Sequence, residues 1–308
     1  MRTLVRTGLP VAAITIACAL ATGCGRVAKS PLAPAADPFA AVSRTGTAPT
    51  AADTQIPPPF APFDLTRFHS STRIDNRWLP LTPGTQFVLD GVANRGGGLL
   101  PHRVIFTVTD VTKEIAGVRT VVVWDQDITE GVLVESELAF FAQDDAGNVW
   151  SMGEYPEEYT DGVFTGAPST WIPGVAGALA GTMMPADPKP GSGYYLQGYS
   201  PDIAFLDEGK VFQAGQSTCV PAGCFDQVLI TDEKSPLDPS GHQRKYYAPG
   251  VGNVQIGAVG DPEGETLMLT ASRKLTAREL REARRAVMKL EARAYQVSEV
   301  YPQTVPAQ

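Results

Sequence analysis

The stretch that decides the fold is RVIFTVTDVTKEIAGVRTVVVWDQDITEGVLVESELAFFA, residues 103–142. Short runs of β-branched and aromatic residues alternate with polar residues along it, and Gly and Asp separate the runs. A period of two is typical of antiparallel strands. The pattern extends from Thr85 to Ser272 without intervening helical periodicity, which disfavours parallel crossovers. The sequence therefore predicts a mainly β fold: a single curved antiparallel sheet, as a half-barrel or barrel meander, with one C-terminal helix.

Strand boundaries follow from the same alternation and from the turn residues between the runs. Asp144 to Asn148 reads DDAGN between two runs and predicts a hairpin turn. We favour turn chemistry there over calcium binding, because the later acidic ligands of an EF-hand loop are missing. The predicted strands are residues 86–90, 103–111, 119–125, 132–142, 148–153, 194–199, 210–214, 227–232, 243–247, 253–257 and 265–271.

The alternation fails between Tyr155 and Asp187, where Gly, Pro and Ala dominate. This composition predicts the longest irregular loop of the β body, and long loops on β scaffolds often carry function. Trp171, Met183 and Met184 in this loop either line a cavity or plug the end of the sheet. We favour the plug, because large apolar side chains usually enter a core.

Residues 1–23 are predicted to be a lipoprotein signal peptide. Arg2 and Arg6 precede an apolar run that ends at Leu20, and this run is shorter than the roughly 20 residues that span a bilayer. A permanent transmembrane helix is therefore the weaker interpretation. Ala21-Thr22-Gly23-Cys24 resembles the bacterial lipobox, which implies that Cys24 is lipidated, for example with palmitate. The alternative is an ordinary signal peptide cut near the same position.

Residues 24–62 are rich in Ala, Pro, Thr and Ser and predict a disordered tether. Lipid on Cys24 would make the membrane a partner of the exported protein. Gly25 follows the Cys, and in Gram-negative lipoproteins this implies sorting to the outer membrane. In a Gram-positive organism the same anchor would place the protein on the outer face of the cell membrane.

The remaining cysteines predict a disulfide. Cys18 leaves with the signal peptide, so Cys219 and Cys224 are the pair that the mature chain retains besides Cys24. Pro and Gly lie between these two and mark a tight turn that can bring the sulfurs together in an oxidising compartment. A metal or redox role would require further ligands or a C-x-x-C pair.

Residues 273–298 predict a basic amphipathic helix after the β domain, residues 63–272, and before a tail, residues 299–308. Thr276 and Glu279 form a capping box, and apolar residues recur every three or four positions. From Arg273 to Arg293 the chain has eight Lys or Arg against three Glu. We favour docking of this helix on the acidic β body over helix pairing or binding to anionic lipid, because its apolar face lacks Trp and Phe.

Several ordered segments resemble a family of uncharacterised exported bacterial proteins. The resemblance covers roughly residues 75–270 and offers no catalytic residue to transfer. The last strand also resembles half-barrel lipoproteins of the LolA and LolB kind, which implies a curved sheet with an apolar concave face. The segments are IDN (74–76), LPL (79–81), PGT (83–85), AQD (142–144), GNVW (147–150), GE (153–154), MPA (184–186), VP (220–221) with Gly223 and Phe225, SPLDP (235–239) and KYYAPGVG (245–252).

Composition excludes several functional classes. A net charge of −8 and a pI near 5.0 argue against nucleic acid as a partner. The three His residues lack ligand spacing, so we expect neither a metal nor a cofactor. G-x-S-x-G, P-loop and H-E-x-x-H motifs are all missing from the sequence.

The candidate site residues are carboxylates and aromatics on predicted strands. Asp125 and Asp127 share one face near Glu130, and Glu154, Glu157 and Glu158 form a second cluster; exposed carboxylates are the favoured interpretation of both. Trp171, Tyr194, Tyr246 and Tyr247 are candidate ligand contacts. These residues predict a noncatalytic, membrane-anchored lipoprotein that binds a small, partly apolar ligand or an envelope partner. The alternative is an extracytoplasmic hydrolase of glycosides or esters that uses Asp125, Asp127 or Glu154.

Overall fold

Antiparallel strands and one long helix account for most of the residues that the computed structural model describes, which are 62–94, 98–237, 242–260 and 263–308. Helix α1 covers Ala277–Val297, and two short 3-10 helices cover Leu65–Arg67 and Tyr301–Gln303. The strands are β1 (Thr85–Asn94), β2 (Leu99–Ile115), β3 (Val118–Thr129), β4 (Val132–Gln143), β5 (Val149–Thr160), β6 (Val163–Gly166), β7 (Leu179–Met184), β8 (Tyr195–Ser200), β9 (Phe205–Val220), β10 (Gly223–Lys234), β11 (His242–Ala248), β12 (Gly252–Ala258) and β13 (Thr266–Lys274).

The sheet closes on itself. Strands β1 to β5 pair in chain order, β5 pairs with β7, and the order continues from β7 to β13. Strand β1 then pairs with β13, so that all strands except β6 form a twelve-stranded up-and-down barrel. Among the described residues, strand β6 pairs only with the end of β5. Closure satisfies the backbone groups that an open edge would expose. The predicted fold class is confirmed, and of its alternatives the chain adopts the closed barrel rather than the half-barrel.

The seam between the first and last strands depends on close backbone contact. The register runs from Thr85 opposite Lys274 to Val92 opposite Thr266. Within this seam a Cβ atom on Gly91 would lie 1.7 Å from the carbonyl oxygen of Thr266. Only a residue without a Cβ allows this approach.

The prediction of one irregular loop between Tyr155 and Asp187 is wrong. Strand β5 continues to Thr160, and β6 and β7 both lie within the stretch. Strand β6 has only four residues, VFTG, which is too short to show an alternation. Strand β7, LAGTMM, contains Gly and Ala in place of the β-branched residues by which the other strands were predicted. The favoured plug interpretation agrees with the burial of Met184, which is fully buried in the barrel core, and of Trp171, which is 1% exposed. It is wrong for Met183, which lines a cavity inside the barrel.

Two apolar clusters lie on opposite faces of the barrel wall. Inside, residues such as Phe87, Val123 and Leu267 pack together. Outside, side chains of β2 to β5, among them Leu138 and Phe140, pack against the C-terminal helix. The wall between β2 and β5 is therefore apolar on both faces, whereas a solvated sheet would be polar on one.

Helix α1 docks on the outer face as expected. The Thr276 hydroxyl accepts a hydrogen bond from the Glu279 backbone N–H, and the Glu279 carboxylate accepts one from the Thr276 backbone N–H, so the predicted capping box is confirmed. Val287 packs in the outer apolar cluster, and the Arg293 guanidinium lies 2.7 Å from the Glu157 carboxylate. Within the described residues, no helix is long and apolar enough to cross a membrane.

The last ten residues, predicted only as a tail, complete this interface. Gln308 and Thr112 exchange two backbone hydrogen bonds, and the ring of Tyr301 is fully buried. Between tail, helix and barrel lies the buried ammonium of Lys113, which donates to Glu291 at 3.0 Å and to the Val305 carbonyl at 2.7 Å. The tail thus helps to bury the ion pair of Lys113 and Glu291.

The local turn predictions are confirmed. Cys219 and Cys224 lie opposite each other in the β9–β10 hairpin and form a disulfide. In the β4–β5 turn the Asp144 carboxylate accepts the backbone N–H groups of Ala146 and Asn148, which is turn chemistry. Gly147 in the same turn has a φ of 91°, where a residue without a Cβ is favoured.

Candidate functional site

The barrel encloses a cavity of about 220 Å³. An eight-stranded barrel is just wide enough for its own side chains to fill, so twelve strands leave additional space. The segment before β1 occupies part of that space, because Leu79 and Leu81 are buried in the inner core. The lining residues are Leu79, Pro80, Leu81, Phe87, Leu89, Val104, Phe106, Asp125, Glu137, Ala139, Phe141, Ser151, Glu154, Met183, Lys245, Tyr247, Val251, Gly252, Asn253 and Ile256.

Acidic side chains form part of this largely apolar lining. Asp125 on β3 lies directly opposite Glu137 on β4, and Glu154 of β5 lines the same cavity. Alternate residues of one strand share a face, so Asp125 and Glu137 continue the inward rows that contain Val123 and Ala139. Glu154 lies beyond a shift in the register of β4 and β5, because Ser151 lies opposite Phe141 and Glu154 lies opposite Ala139. The cavity therefore combines an apolar wall with a band of carboxyl groups.

The inward carboxyls hold their protons more tightly than carboxyls in water. Burial raises the pKa of Asp125 well above its ordinary value, and the charges of Asp127 and Glu135 raise it further. Burial likewise raises the pKa of Glu137, with a further contribution from the charge of Glu154. A carboxyl that stays protonated can donate a hydrogen bond as well as accept one.

The surroundings of Glu154 differ from those of Asp125 and Glu137. Burial raises the pKa of its carboxyl, although the Trp171 indole and the Lys245 ammonium oppose this shift. The backbones of Glu154 and Trp171 exchange two hydrogen bonds at 3.0 and 3.1 Å. The loop that carries Trp171 therefore fixes the strand position of this carboxyl.

One ammonium group lies among the carboxyls. Lys245 is 2.8 Å from the Glu233 carboxylate, whose other oxygen accepts hydrogen bonds from Thr231 at 2.8 Å and from the Tyr247 hydroxyl at 3.3 Å. Burial by itself would lower the pKa of Lys245, but Glu233 raises it above its ordinary value. Burial and the Glu154 charge raise the pKa of nearby Asp207 to about 7.

A second group of titratable side chains lies near the start of β2 and the end of β3. The His102 side chain is fully buried, and its Nε2 lies 3.5 Å from an Asp127 oxygen and 3.3 Å from a Glu265 oxygen. Its Nδ1 is 3.0 Å from the Thr129 hydroxyl. Burial by itself would lower the pKa of His102, but the two carboxylates raise it to about 9.

The predicted site residues do not come together in one place. Asp125 and Tyr247 line the cavity, and their role as ligand contacts stays a prediction, whereas Asp127 lies beside His102. Tyr246 is partly buried and lies outside the cavity lining. Tyr194 lies in a separate surface pocket, and Cys24 falls outside the described residues.

The favoured interpretation of the acidic clusters as exposed is wrong for most of their members. Asp125 and Glu154 face the interior, and Glu157 is fully buried under α1. Glu130 and Glu158 are exposed as expected. The error has a physical cause: where both faces of a strand are apolar, alternation does not show which face is inside.

Four residues of these two groups were not predicted as site residues from the sequence: Glu137, Lys245, Glu233 and His102. The one available signal for Glu137 is its spacing of two from Ala139 and of four from Phe141. Lys245 and Glu233 meet through the pairing of β10 with β11, which a single sequence does not reveal.

Two solved structures are similar to this chain. A protein from Bacteroides fragilis, described as exported and as having a YmcC-like fold, is 14% identical with a TM-score of 0.35, covering 65% of this chain and 100% of its own. A protein from Parabacteroides distasonis, described as a lipoprotein, is 15% identical with a TM-score of 0.30 and the same coverage. Neither a family model nor a curated protein matches the chain. Similarities this distant support no argument about family or function.

Proposed function

We propose that the barrel binds one small, partly apolar molecule in its central cavity. The observation that carries this proposal is the joint lining of one enclosed space by apolar side chains and by Asp125, Glu137, Glu154 and Lys245. Ligand sites in proteins typically combine an apolar wall with a few polar groups that fix orientation. The rigid, closed sheet preforms the space, so that little ordering would oppose binding.

The cavity volume limits the size of the ligand. An engineered cavity of about 150 Å³ in another protein holds benzene, so a space of about 220 Å³ suits a molecule of about nine or ten non-hydrogen atoms. Such a molecule would place its apolar part against Phe87, Leu89 and Phe106. Its polar end would meet the carboxyl band.

The acidity of the band favours basic or neutral polar ends. An amine could take the proton of Asp125 or Glu137 and form a charge-assisted hydrogen bond inside the barrel. A hydroxyl could hydrogen-bond to either protonation state. A ligand carboxylate would add another negative charge to an acidic interior, and we expect its exclusion.

The carboxyl band also borders a second pocket. Glu137 and Glu154 line this pocket of about 280 Å³ together with Glu135, Ser169 and Phe205, and we propose it as the mouth of the cavity. Two carboxyls thus border both spaces. A ligand that enters through this mouth would pass them before it reaches the apolar wall.

Calorimetric titration of the protein with octylamine, heptanol and heptanoate tests the proposal. We expect saturable binding of the amine and the alcohol and none of heptanoate. Ala139→Phe, which fills the cavity, should weaken binding at least about tenfold. Met268→Ala, on the exposed face of β13, is the control and should leave binding unchanged. Equal binding by both variants, or no binding of any probe together with no co-purifying molecule in native mass spectrometry, would overturn the proposal.

A hydrolase remains the second candidate, because Asp125 and Glu154 line one cavity and both have raised pKa values. Two carboxyls on one space can serve as acid and base in glycoside cleavage. The test is a screen with chromogenic glycosides and esters. Activity that disappears in Asp125→Asn would favour this candidate, and a silent screen would retire it.

We further propose that the chain is exported and anchored through lipid on Cys24. The signal-like segment and the lipobox resemblance support this, and so does the disulfide, which forms in oxidising compartments. Metabolic labelling with a palmitate analogue should mark the wild type and not Cys24→Ser. Labelling of both proteins alike would contradict the anchor. Crosslinking on intact cells would test for the predicted envelope partner.

A further inference from the structure

We propose that His102, Asp127 and Glu265 bind one divalent transition-metal ion, with zinc as the best match. One ligand atom from each residue lies within 4.8 Å of the other two. The set combines one imidazole nitrogen with two carboxylate oxygens, which are ligands that zinc accepts. None of the three residues lines the central cavity, so the site is separate from the proposed ligand site.

The spacing around His102 fits a shared ion better than a direct hydrogen bond. A charged N–H donor normally lies about 2.7–2.9 Å from its carboxylate acceptor. His102 Nε2 instead lies 3.3 and 3.5 Å from oxygens of Glu265 and Asp127, and it makes no hydrogen bond. Ligands bound tetrahedrally at about 2.0–2.1 Å from zinc are about 3.3–3.4 Å apart.

The other two histidines show the contrast within the same chain. Nδ1 of His69 lies 2.7 Å from Asp145, and Nε2 of His242 lies 2.6 Å from Asp232. Both distances are those of ordinary hydrogen bonds. His102 differs because it lies between two carboxylates and hydrogen-bonds to neither.

Neighbouring groups orient the ligands. Nδ1 of His102 lies 3.0 Å from the Thr129 hydroxyl, a partner that can fix the ring with the Nε2 lone pair toward the carboxylates. Gln243 donates to the Oε2 atom of Glu265 at 2.9 Å, while the Oε1 atom faces His102. Such outer partners are a regular feature of metal sites.

The strands make the site rigid and enclosed. His102 and Asp127 lie on the paired strands β2 and β3, and Glu265 directly precedes β13. The Asp127 and Glu265 side chains are only 17% and 12% exposed. A divalent ion would neutralise two carboxylates in this enclosed position, where their mutual repulsion is weakly screened.

The test uses the full folded chain after treatment with EDTA and dialysis. Calorimetry with Zn²⁺ should give one ion per chain, and Co²⁺ should produce a visible absorption spectrum of bound cobalt. His102→Ala and Asp127→Asn should each weaken binding at least about 100-fold. His242→Ala is the matched control, because it removes another histidine paired with a carboxylate, and it should retain full affinity.

Circular dichroism shows which variants fold, and only folded variants test the site. If His102→Ala fails to fold, Asp127→Asn and Glu265→Gln carry the test, because they keep the side-chain shape. Absence of stoichiometric binding by the folded wild type would overturn the proposal. Binding that persists in the folded variants, or that His242→Ala abolishes, would also overturn it.

Discussion

Replacing Asp207 by Asn should stabilise the protein at pH 8 more than at pH 5. The charges of Glu154 on β5, Glu233 on β10 and Lys245 on β11 all act on the carboxyl of Asp207 on β9. Burial and Glu154 raise its pKa from 3.8 to about 7, with an opposing effect from Lys245. In the unfolded chain the carboxyl would lose its proton near pH 4. Folding at neutral pH therefore has to bury a charge or retain a proton.

The sign and the size follow from proton linkage. Between about pH 4 and pH 7 the folded state binds one proton more than the unfolded state, so stability falls as the pH rises. The full shift corresponds to about 4 kcal/mol, of which about 2.5 kcal/mol falls between pH 5 and pH 8. Water reaches the half-buried carboxyl of Asp207, so we expect a difference of about 1–2.5 kcal/mol.

Urea unfolding of both proteins at pH 5 and pH 8 measures this difference. Comparing variant with wild type at each pH cancels the other interior carboxyls, because both proteins contain them. Asp202→Asn in the preceding loop is the control, since Asp202 is exposed and should change little at either pH. Equal effects of Asp207→Asn at both pH values, or a loss of stability at pH 8, would refute the reasoning.

Three further variants test the packing by chemical unfolding. Lys113→Ala removes one partner of a buried ion pair, which should cost about 3–5 kcal/mol, and a loss below about 1 kcal/mol would contradict that burial. Gly91→Ala would place a Cβ atom 1.7 Å from the Thr266 carbonyl oxygen at the seam, so we expect a loss of at least about 2 kcal/mol; an unchanged midpoint would contradict the close contact. Replacing Cys219 and Cys224 by Ala should cost only about 2 kcal/mol, because the disulfide closes a short loop, and a globally unfolded variant would contradict this local role.

Much of the architecture was predictable because its signals are local. The run 119–125 alternates with a period of two, and Thr276 with Glu279 marks a helix start, so strand and helix follow from neighbouring residues. The disulfide was also predictable, since Pro and Gly between Cys219 and Cys224 bring the two sulfurs together. Strand β6 was missed because four residues are too few to show an alternation, and β7 was missed because its Gly and Ala residues give no such local signal.

The candidate sites depend on contacts between distant residues. Glu265 comes to His102 because the last strand closes against the first, and closure depends on the whole circumference of the sheet. The alternation of residues also did not show whether Asp125 faces solvent or a cavity. The outer face of β2–β5 is apolar as well, because it packs against α1.

The sequence by itself determined the β class, the helix with its cap, the hairpin turns and the disulfide, because each needs only residues close together in the chain. Only the tertiary structure decided that the sheet closes, which face of each strand is inside, and that carboxyls gather around an apolar cavity. Those features depend on strand pairing over more than a hundred residues and on the burial of charge, which no local pattern encodes.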